Sequence, residues 1–171
     1  MDTPVFLPLR SRPEMLETAA AWFASKWRIP LETYRESMLE ALAHPGAIPQ
    51  WYVVLDAQSR IIAGAGAIAN DFHNRPDLTP NICAVFVERH WRGRGVARMM
   101  LDSIRHDLGT LGIDDIYLIT GHTQFYERCS WSFLTMVRED EGGDARMYTA
   151  KTCSVLLPNP SDDSGLPDPT V

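Results

Sequence analysis

The feature that most constrains the fold is a glycine-rich loop between an apolar run and an amphipathic helix. Residues 82–87 read Ile-Cys-Ala-Val-Phe-Val without polar alternation, which predicts a strand buried on both faces. From Gly95 onward the apolar residues recur at helical spacing, in a stripe made of Val96, Met100, Ile104, Leu108 and Leu111. Arg92-Gly93-Arg94-Gly95 joins the two segments. This succession indicates a domain that mixes strands and helices.

The remaining segments extend this pattern in both directions. A first helix is predicted to start at a capping box of Ser11 and Glu14 and to run to about Trp27, and a second helix to end near His44. The other predicted strands are 4–10, 51–55, 61–69, 116–120, 133–137 and 147–156, with a short helix at 123–129. The expected order is β, α, α, three β, α, β, α, β, β, within one mixed α/β domain.

The domain is predicted to cover residues 1–157 of the 171-residue chain. Residues 158–171 contain four prolines and three aspartates and have little to bury, so we expect an acidic, disordered tail. We see no apolar run long enough to span a membrane and no secretory signal, so we expect a soluble, cytoplasmic protein without a membrane partner.

The charge distribution points to a small anionic ligand rather than to nucleic acid. The net charge is −6, which argues against a general nucleic-acid binder. Nevertheless, Arg89, Arg92, Arg94 and Arg98 lie close together. The three cysteines are far apart and lack metal-ligand spacing, so we expect neither a disulfide framework nor a metal site.

The loop at 92–97 has the properties of a phosphate site. Backbone N–H groups at a helix N-terminus are unpaired and carry partial positive charge, and glycines let an anion approach them closely. A nucleotide-binding P-loop would need Gly-Lys-Ser/Thr, which is absent, and a dinucleotide fingerprint would need glycine where Arg98 stands. A solvated glycine-rich turn remains the alternative.

Two motifs resemble those of the GNAT superfamily of N-acetyltransferases. Arg92-x-x-Gly95-x-Ala97 resembles the Q/R-x-x-G-x-G/A signature of that family. Ile116-Tyr117-Leu118, followed by Phe125-Tyr126-Glu127-Arg128 and Trp131, resembles its second half-site, and the resemblance covers roughly residues 51–150. It implies a mostly antiparallel sheet of about seven strands flanked by about four helices.

The resemblance also implies acetyl-CoA as co-substrate. The pyrophosphate would be bound by the loop residues Arg92, Gly93, Arg94, Gly95, Val96 and Ala97. The strand end formed by Val85, Phe86 and Val87 would pair with the pantetheine arm like an added strand. A splay between the central strands, opened by a bulge, would admit the thioester, and a backbone N–H near Val85 or Val87 would polarise its carbonyl.

Catalytic groups follow from the same resemblance, less completely. Tyr126 matches the tyrosine that serves as general acid toward the leaving thiolate. The glutamate that some members use as base is replaced by Thr79. The candidates left for the base are Asp71, His73, Asp77 and His122, and we favour the two histidines because imidazole titrates near neutrality.

Two positions depart from the family pattern. Ser130 stands where many members have glycine, so a turn with positive φ there is expected to be mildly strained. Ile119 stands where many members have asparagine, which puts contacts to the pantetheine from that side in doubt.

The resulting hypothesis is transfer of an acetyl group from acetyl-CoA to a primary amine of a small molecule, by direct attack in a ternary complex. The first two helices would wall the acceptor site with Trp22, Phe23, Trp27 and Tyr34, and we expect Trp27, Tyr34 and Asp71 to bind the acceptor. The acidic surface suits a cationic acceptor. Acetylation of a protein N-terminus or lysine, a non-catalytic acyl-CoA sensor, and a homodimer all stay open.

Overall fold

The computed structural model describes residues 3–153, arranged around one seven-stranded sheet in the order β1-β2-β3-β4-β5-β7-β6. The strands are β1 Val5–Pro8, β2 Gln50–Leu55, β3 Ile61–Ile68, β4 Asn81–Val87, β5 Asp115–Thr120, β6 Ser132–Arg138 and β7 Asp144–Lys151. The helices are α1 Leu16–Lys26, α2 Leu31–Ala43, α3 Val96–Thr110 and α4 Thr123–Arg128. Neighbouring strands are antiparallel except for the parallel pair β4–β5. The predicted fold class is confirmed, whereas the predicted tail lies outside the described residues.

The central strands are buried because helices cover both faces of the sheet. Every residue of β2 is buried. Tyr52 and Val54 belong to the core on the α3 side, and Trp51 and Val53 to the core under α1 and α2. Successive side chains of a strand point to opposite faces, so an apolar run without alternation serves two cores at once.

Close packing of α1 on the sheet depends on Gly64 in β3. A Cβ at this position would lie 2.6 Å from the ring of Phe23 and 3.1 Å from the carbonyl oxygen of Tyr52. No side chain fits there, so α1 lies near enough for its aromatic residues to reach the middle of the sheet. This packing sets the position of the chain segment that follows α1, which forms one wall of the site described below.

A gap separates the two central parallel strands. Among the described residues, Asn81 and Tyr117 form the one register pair between β4 and β5. The β3–β4 register shifts between Gly64 and Gly66, and Ala84 has a φ of 53°, both marks of a bulge in β4. The strands therefore diverge toward their C-terminal ends, and the predicted splay and bulge are confirmed.

The predicted capping box is wrong. Ser11 lies in a 3-10 turn, Leu9–Ser11, and its hydroxyl donates to the carbonyl of Pro8 at 2.7 Å. A second 3-10 turn, Pro13–Met15, precedes α1. The residue before a proline disfavours helical φ and ψ, so no helix can run through Arg12.

Two predicted strand ends are corrected as well. β1 ends at Pro8 rather than at residue 10, since proline has no N–H to continue a ladder. β7 spans Asp144–Lys151, which begins earlier than predicted, and residues 154–156 of the predicted strand lie outside the described part of the chain.

A buried polar cluster joins the end of β1 to α3. The Arg10 guanidinium donates to Asp107 Oδ2 at 2.8 Å, and the Tyr52 hydroxyl donates to the same oxygen at 2.8 Å. The two charged side chains are 19% and 13% exposed. Burial, helped by the Asp107 carboxylate, raises the pKa of Tyr52 far above its ordinary value, so this hydroxyl stays a donor.

None of the helices within residues 3–153 combines the length and the apolar character that a membrane span requires.

Candidate active site

The loop before α3 presents a row of unpaired backbone donors. Gly93 and Gly95 have φ of 71° and 74°, in the left-handed region that glycine adopts without strain. The first intrahelical bond runs from the Met99 N–H to the Gly95 carbonyl at 3.0 Å. Within residues 3–153, no acceptor pairs with the backbone N–H groups of 93–98. Such a row is a concave anion site at the positive end of the helix dipole.

Two arginines anchor this loop while keeping their charge in solvent. Arg92 donates through Nε to the Val87 carbonyl at 2.9 Å, and its guanidinium lies 5.3 Å from the centre of the Phe86 ring. Arg94 lies 5.2 Å from the ring of Trp91. Both side chains are exposed, so their free N–H groups can add to the anion site. Every residue predicted to bind the pyrophosphate lies in this loop or the first turn of α3.

A cavity of about 620 Å³ opens at the splay on the other side of the sheet's central strands. Its floor is formed by residues 82–85 of β4 and 118–120 of β5. Its walls come from the α1–α2 region, the loop after β3, the start of α4 and the β6–β7 hairpin. Trp27, Tyr34 and Asp71, which were predicted to bind an acceptor, all line it.

Tyr126 reaches this cavity from α4. Its side chain is 7% exposed and packs edge-on against Phe125 and Trp131. Burial raises the pKa of Tyr126 to about 12, so the hydroxyl is protonated at neutral pH. Within the described part of the chain this hydroxyl has no hydrogen-bond partner, which leaves it available to a ligand.

The turn after α4 confirms the strain expected at Ser130. This residue has a φ of 66°, in the left-handed region that costs residues other than glycine conformational free energy. The turn lets the Trp131 N–H donate to the Tyr126 carbonyl at 3.0 Å. The strained residue thus fixes the end of the helix that carries the tyrosine.

Of the two histidines favoured as the base, only His122 lines the cavity. His73 is 3% exposed, its Nε2 lies 2.6 Å from Asn81 Oδ1, and its Nδ1 accepts from the Arg75 N–H at 3.2 Å. Nε2 is therefore the protonated nitrogen and donates to Asn81. His73 is absent from the cavity lining, and both of its nitrogens are engaged. His122 is exposed, immediately precedes α4 and lines the cavity.

Of the two carboxylate candidates, Asp71 alone lines the cavity. Burial raises the pKa of Asp71, the neighbouring His73 opposes this rise, and the Glu139 carboxylate adds to it. Asp77 is exposed and pairs with Arg75 at 2.8 Å, and this partner lowers the pKa of Asp77. A carboxylate with a raised pKa in a cavity is better matched to proton uptake near neutrality than an exposed, paired one.

Sequence reasoning missed several polar residues of the cavity, among them Cys83, Glu139 and Arg146. Burial raises the pKa of the Cys83 thiol well above its usual value. The guanidinium of Arg146 lies 4.4 Å from the ring of Phe133, and its Nε is buried without a partner among residues 3–153. For Arg146, the alternation of side chains along β7 was a usable signal in the sequence. That alternation does not tell which face of the strand borders a cavity.

Comparison with known proteins identifies the family of this site. Residues 49–132 match the family model described as "Acetyltransferase (GNAT) domain". No curated protein matches the sequence. The resemblance to the GNAT superfamily is confirmed.

Solved structures share the whole fold at low sequence identity. An aminoglycoside 6'-N-acetyltransferase complexed with coenzyme A has a TM-score of 0.64 at 14% identity, over 91% of this chain and 99% of that chain. A GNAT-family protein from Desulfovibrio desulfuricans has a TM-score of 0.62 at 17% identity, over 87% of this chain and 99% of that chain. Spermidine/spermine N-acetyltransferase from Vibrio cholerae, in complex with manganese ions, has a TM-score of 0.57 at 18% identity, over 86% of this chain and 92% of that chain. These likenesses establish the fold.

Proposed function

Because the chain carries a GNAT acetyltransferase domain, and is thus an N-acetyltransferase, we propose that it acetylates a primary amine of a small molecule with acetyl-CoA as donor. The observation that carries this proposal is the meeting of Tyr126 and Asp71 in one cavity at the splay between β4 and β5. The Tyr126 hydroxyl holds a proton, and the Asp71 carboxylate can take one. Acyl transfer to an amine needs both.

The donor substrate has a continuous path to this cavity. The N–H row of 93–98 would bind the pyrophosphate, with Arg92 and Arg94 beside it. Beyond Asn81 the edge of β4 that faces β5 has no paired strand in the described structure, so Val85, Phe86 and Val87 can pair with the pantetheine amides. The thioester then lies in the splay, at the cavity floor.

The chemistry balances with the groups in place. The neutral amine nitrogen attacks the thioester carbonyl and forms the C–N bond, and the C–S bond then breaks. The proton lost by the amine goes to Asp71, and Tyr126 gives its proton to the departing thiolate. A backbone N–H near Val85 or Val87 would stabilise the oxyanion. No covalent enzyme intermediate is required.

The structure shifts the preference for the base from the histidines to Asp71. His73 has no free nitrogen, and we propose that it positions the loop that carries Asp71, through its bond to Asn81. His122 lines the cavity and is the second candidate, acting directly or through water.

A small acceptor is favoured over a protein by the shape of the site. A volume of about 620 Å³ lies within the range of small-molecule pockets, and Trp27 and Tyr34 wall it from the side of the first two helices. The Tyr34 hydroxyl is buried without a partner within residues 3–153, as expected of a group that bonds an acceptor.

The deciding experiment replaces Tyr126 by phenylalanine. The ring stays, so acetyl-CoA affinity should be nearly unchanged, while kcat should fall about 10- to 1000-fold because a transition-state proton donor is lost. Tyr148→Phe is the matched control, since Tyr148 is also buried and its ring centre lies 6.4 Å from that of Tyr126, but its hydroxyl donates to Glu127. Thiol release with an amine library measures the rate, and calorimetry the affinity.

Two results would count against the proposal. A Tyr126→Phe variant with wild-type turnover would make Tyr126 a packing residue. Tight acetyl-CoA binding without turnover of any amine, in the unaltered protein, would instead support the non-catalytic sensor.

A further inference from the structure

A smaller chamber of about 290 Å³ adjoins the main cavity. Its described lining consists of three apolar residues, Ile29, Phe72 and Ile119, and three carboxylates, Asp71, Glu139 and Glu141. All of them except Glu141 also line the main cavity. Asp71 thus stands at the junction of the two spaces, and Glu141 belongs to the smaller one alone.

The three carboxylates have no ionic partner within residues 3–153. Asp71, Glu139 and Glu141 take part in no ion pair and no side-chain hydrogen bond there. Arg75, in the loop after β3, pairs with Asp77, and the guanidinium of Arg146, which lines the main cavity, lies over Phe133. No lysine, arginine or histidine belongs to the described lining of the chamber. Unpaired like charges beside apolar walls create a potential that attracts a cation.

The chamber is held in shape by backbone bonds. The Asp140 N–H donates to the Phe72 carbonyl at 2.9 Å, and the Glu139 N–H donates to the Gly143 carbonyl at 3.0 Å. The Asn74 N–H donates to the Arg138 carbonyl at 3.0 Å. These bonds fasten the loop after β3 to the β6–β7 hairpin, so the backbone that carries the three carboxylates is held in place, while the side chains of Glu139 and Glu141 are exposed.

Tyr34 provides an independent sign of a ligand. It is 3% exposed, it lines the main cavity that shares Asp71 with the chamber, and its hydroxyl has no partner in the described chain. A buried hydroxyl without a hydrogen bond is costly unless a ligand completes it. A ligand polar at one end would meet Tyr34 and Asp71, with its other end in the smaller chamber.

We propose that the acceptor is an aliphatic diamine or polyamine whose second ammonium group is bound by Glu139 and Glu141. This rests on the proposed function and specifies its substrate class. The reacting amine lies at Asp71 in the main cavity, and the methylene chain packs on Ile29, Phe72 and Ile119. An amino sugar fits less well, since its hydroxyl-bearing ring would have to lie on Ile29, Phe72 and Ile119, where a methylene chain can pack without losing hydrogen bonds.

The test compares diaminobutane with aminobutanol, which has the same chain length but lacks the second charge. The unaltered protein should acetylate diaminobutane with a kcat/KM higher by up to about fivefold for each carboxylate contact. Glu141→Gln should lower kcat/KM for diaminobutane up to about fivefold more than for aminobutanol, and added salt should shrink the preference. Glu40→Gln, an exposed change on α2 outside both chambers, is the matched control and should leave the preference intact.

Equal kcat/KM for the two amines, an equal loss for both in Glu141→Gln, or a preference for an aminoglycoside would overturn this inference. If no amine is acetylated, the proposed function fails and calorimetry with diaminobutane decides the inference separately. Binding that weakens in the Glu139→Gln, Glu141→Gln double variant supports the dication site. No binding of diaminobutane to the unaltered protein refutes it.

Discussion

Gly95 offers a way to separate the proposed cofactor binding from stability, because Gly112 matches it in its left-handed φ and in the open space around its Cα. The two residues have φ of 74° and 82°, and at neither would an added Cβ meet an atom within 4 Å. Gly95 begins α3 in the anion loop, whereas Gly112 follows the C-terminal end of the same helix. Valine at either position is strained by the left-handed backbone alone.

The expected magnitudes follow from this geometry. A left-handed conformation costs an L-residue about 1–2 kcal/mol, so both variants should melt a few degrees lower, by about 2–8 °C. In Gly95→Val alone, the side chain projects into the open space beside the N–H row. Loss of two charge-assisted bonds at about 1.5–3 kcal/mol each predicts about a hundredfold to ten-thousandfold weaker binding of coenzyme A.

Thermal melting and calorimetry with coenzyme A on both variants test this prediction. We expect similar melting temperatures and a large difference in affinity. The reasoning fails if Gly95→Val binds coenzyme A like the unaltered protein, because the loop would then not be the phosphate site. The reasoning also fails if Gly112→Val weakens coenzyme A binding equally, because backbone strain away from the loop would then account for the loss of affinity.

Three further predictions concern stability. Asp107→Ala should lower the free energy of unfolding by about 3–5 kcal/mol, seen in urea unfolding, because Arg10 and Tyr52 lose their shared buried acceptor. Ser130→Gly should raise the melting temperature by up to about 4 °C, since relief of about 1–2 kcal/mol of strain exceeds the added chain entropy of about 0.4–1 kcal/mol; a lower melting temperature would contradict the strain. Asp71→Asn should melt higher than the unaltered protein at neutral pH, with the difference closing as the pH falls toward about 4 and gone below it. The sign follows because the folded-state pKa of Asp71 is raised, so ionisation above the unfolded-state pKa destabilises the fold.

The backbone features predicted correctly are those encoded in a short stretch of chain. The glycine loop before α3 depends on Gly93 and Gly95, whose positions relative to the strand and helix can be read from a dozen residues. The place of Tyr126 on a short helix follows from spacing within one strand-helix unit, and the positive φ at Ser130 from a single departure in that unit. Local patterns set local backbone conformation, so such features need no knowledge of the tertiary structure.

The features missed depend on contacts between distant segments. The preference for His73 rested on the ordinary pKa of imidazole, but its position is set by Asn81 and by the hairpin that folds over the loop. Asp71 gains its raised pKa from burial and from Glu139, which lies 68 positions later in the printed sequence. Burial by a remote hairpin has no signature near Asp71 itself.

The two proposed substrate sites are joined through one end of β4, because α1 and the loop before α3 both contact residues there. Glu88, directly after β4, accepts from the Trp22 indole N–H at 2.9 Å and forms an ion pair with Lys26, both on α1. Phe86 packs against Trp22 on one side and lies under the Arg92 guanidinium on the other. The helix that leads to the proposed acceptor wall and the loop proposed to bind the pyrophosphate are therefore fixed to the same few residues. Because an attacking amine must be placed within about 3–3.5 Å of the carbonyl carbon, a shared rigid anchor serves the reaction better than two independent ones.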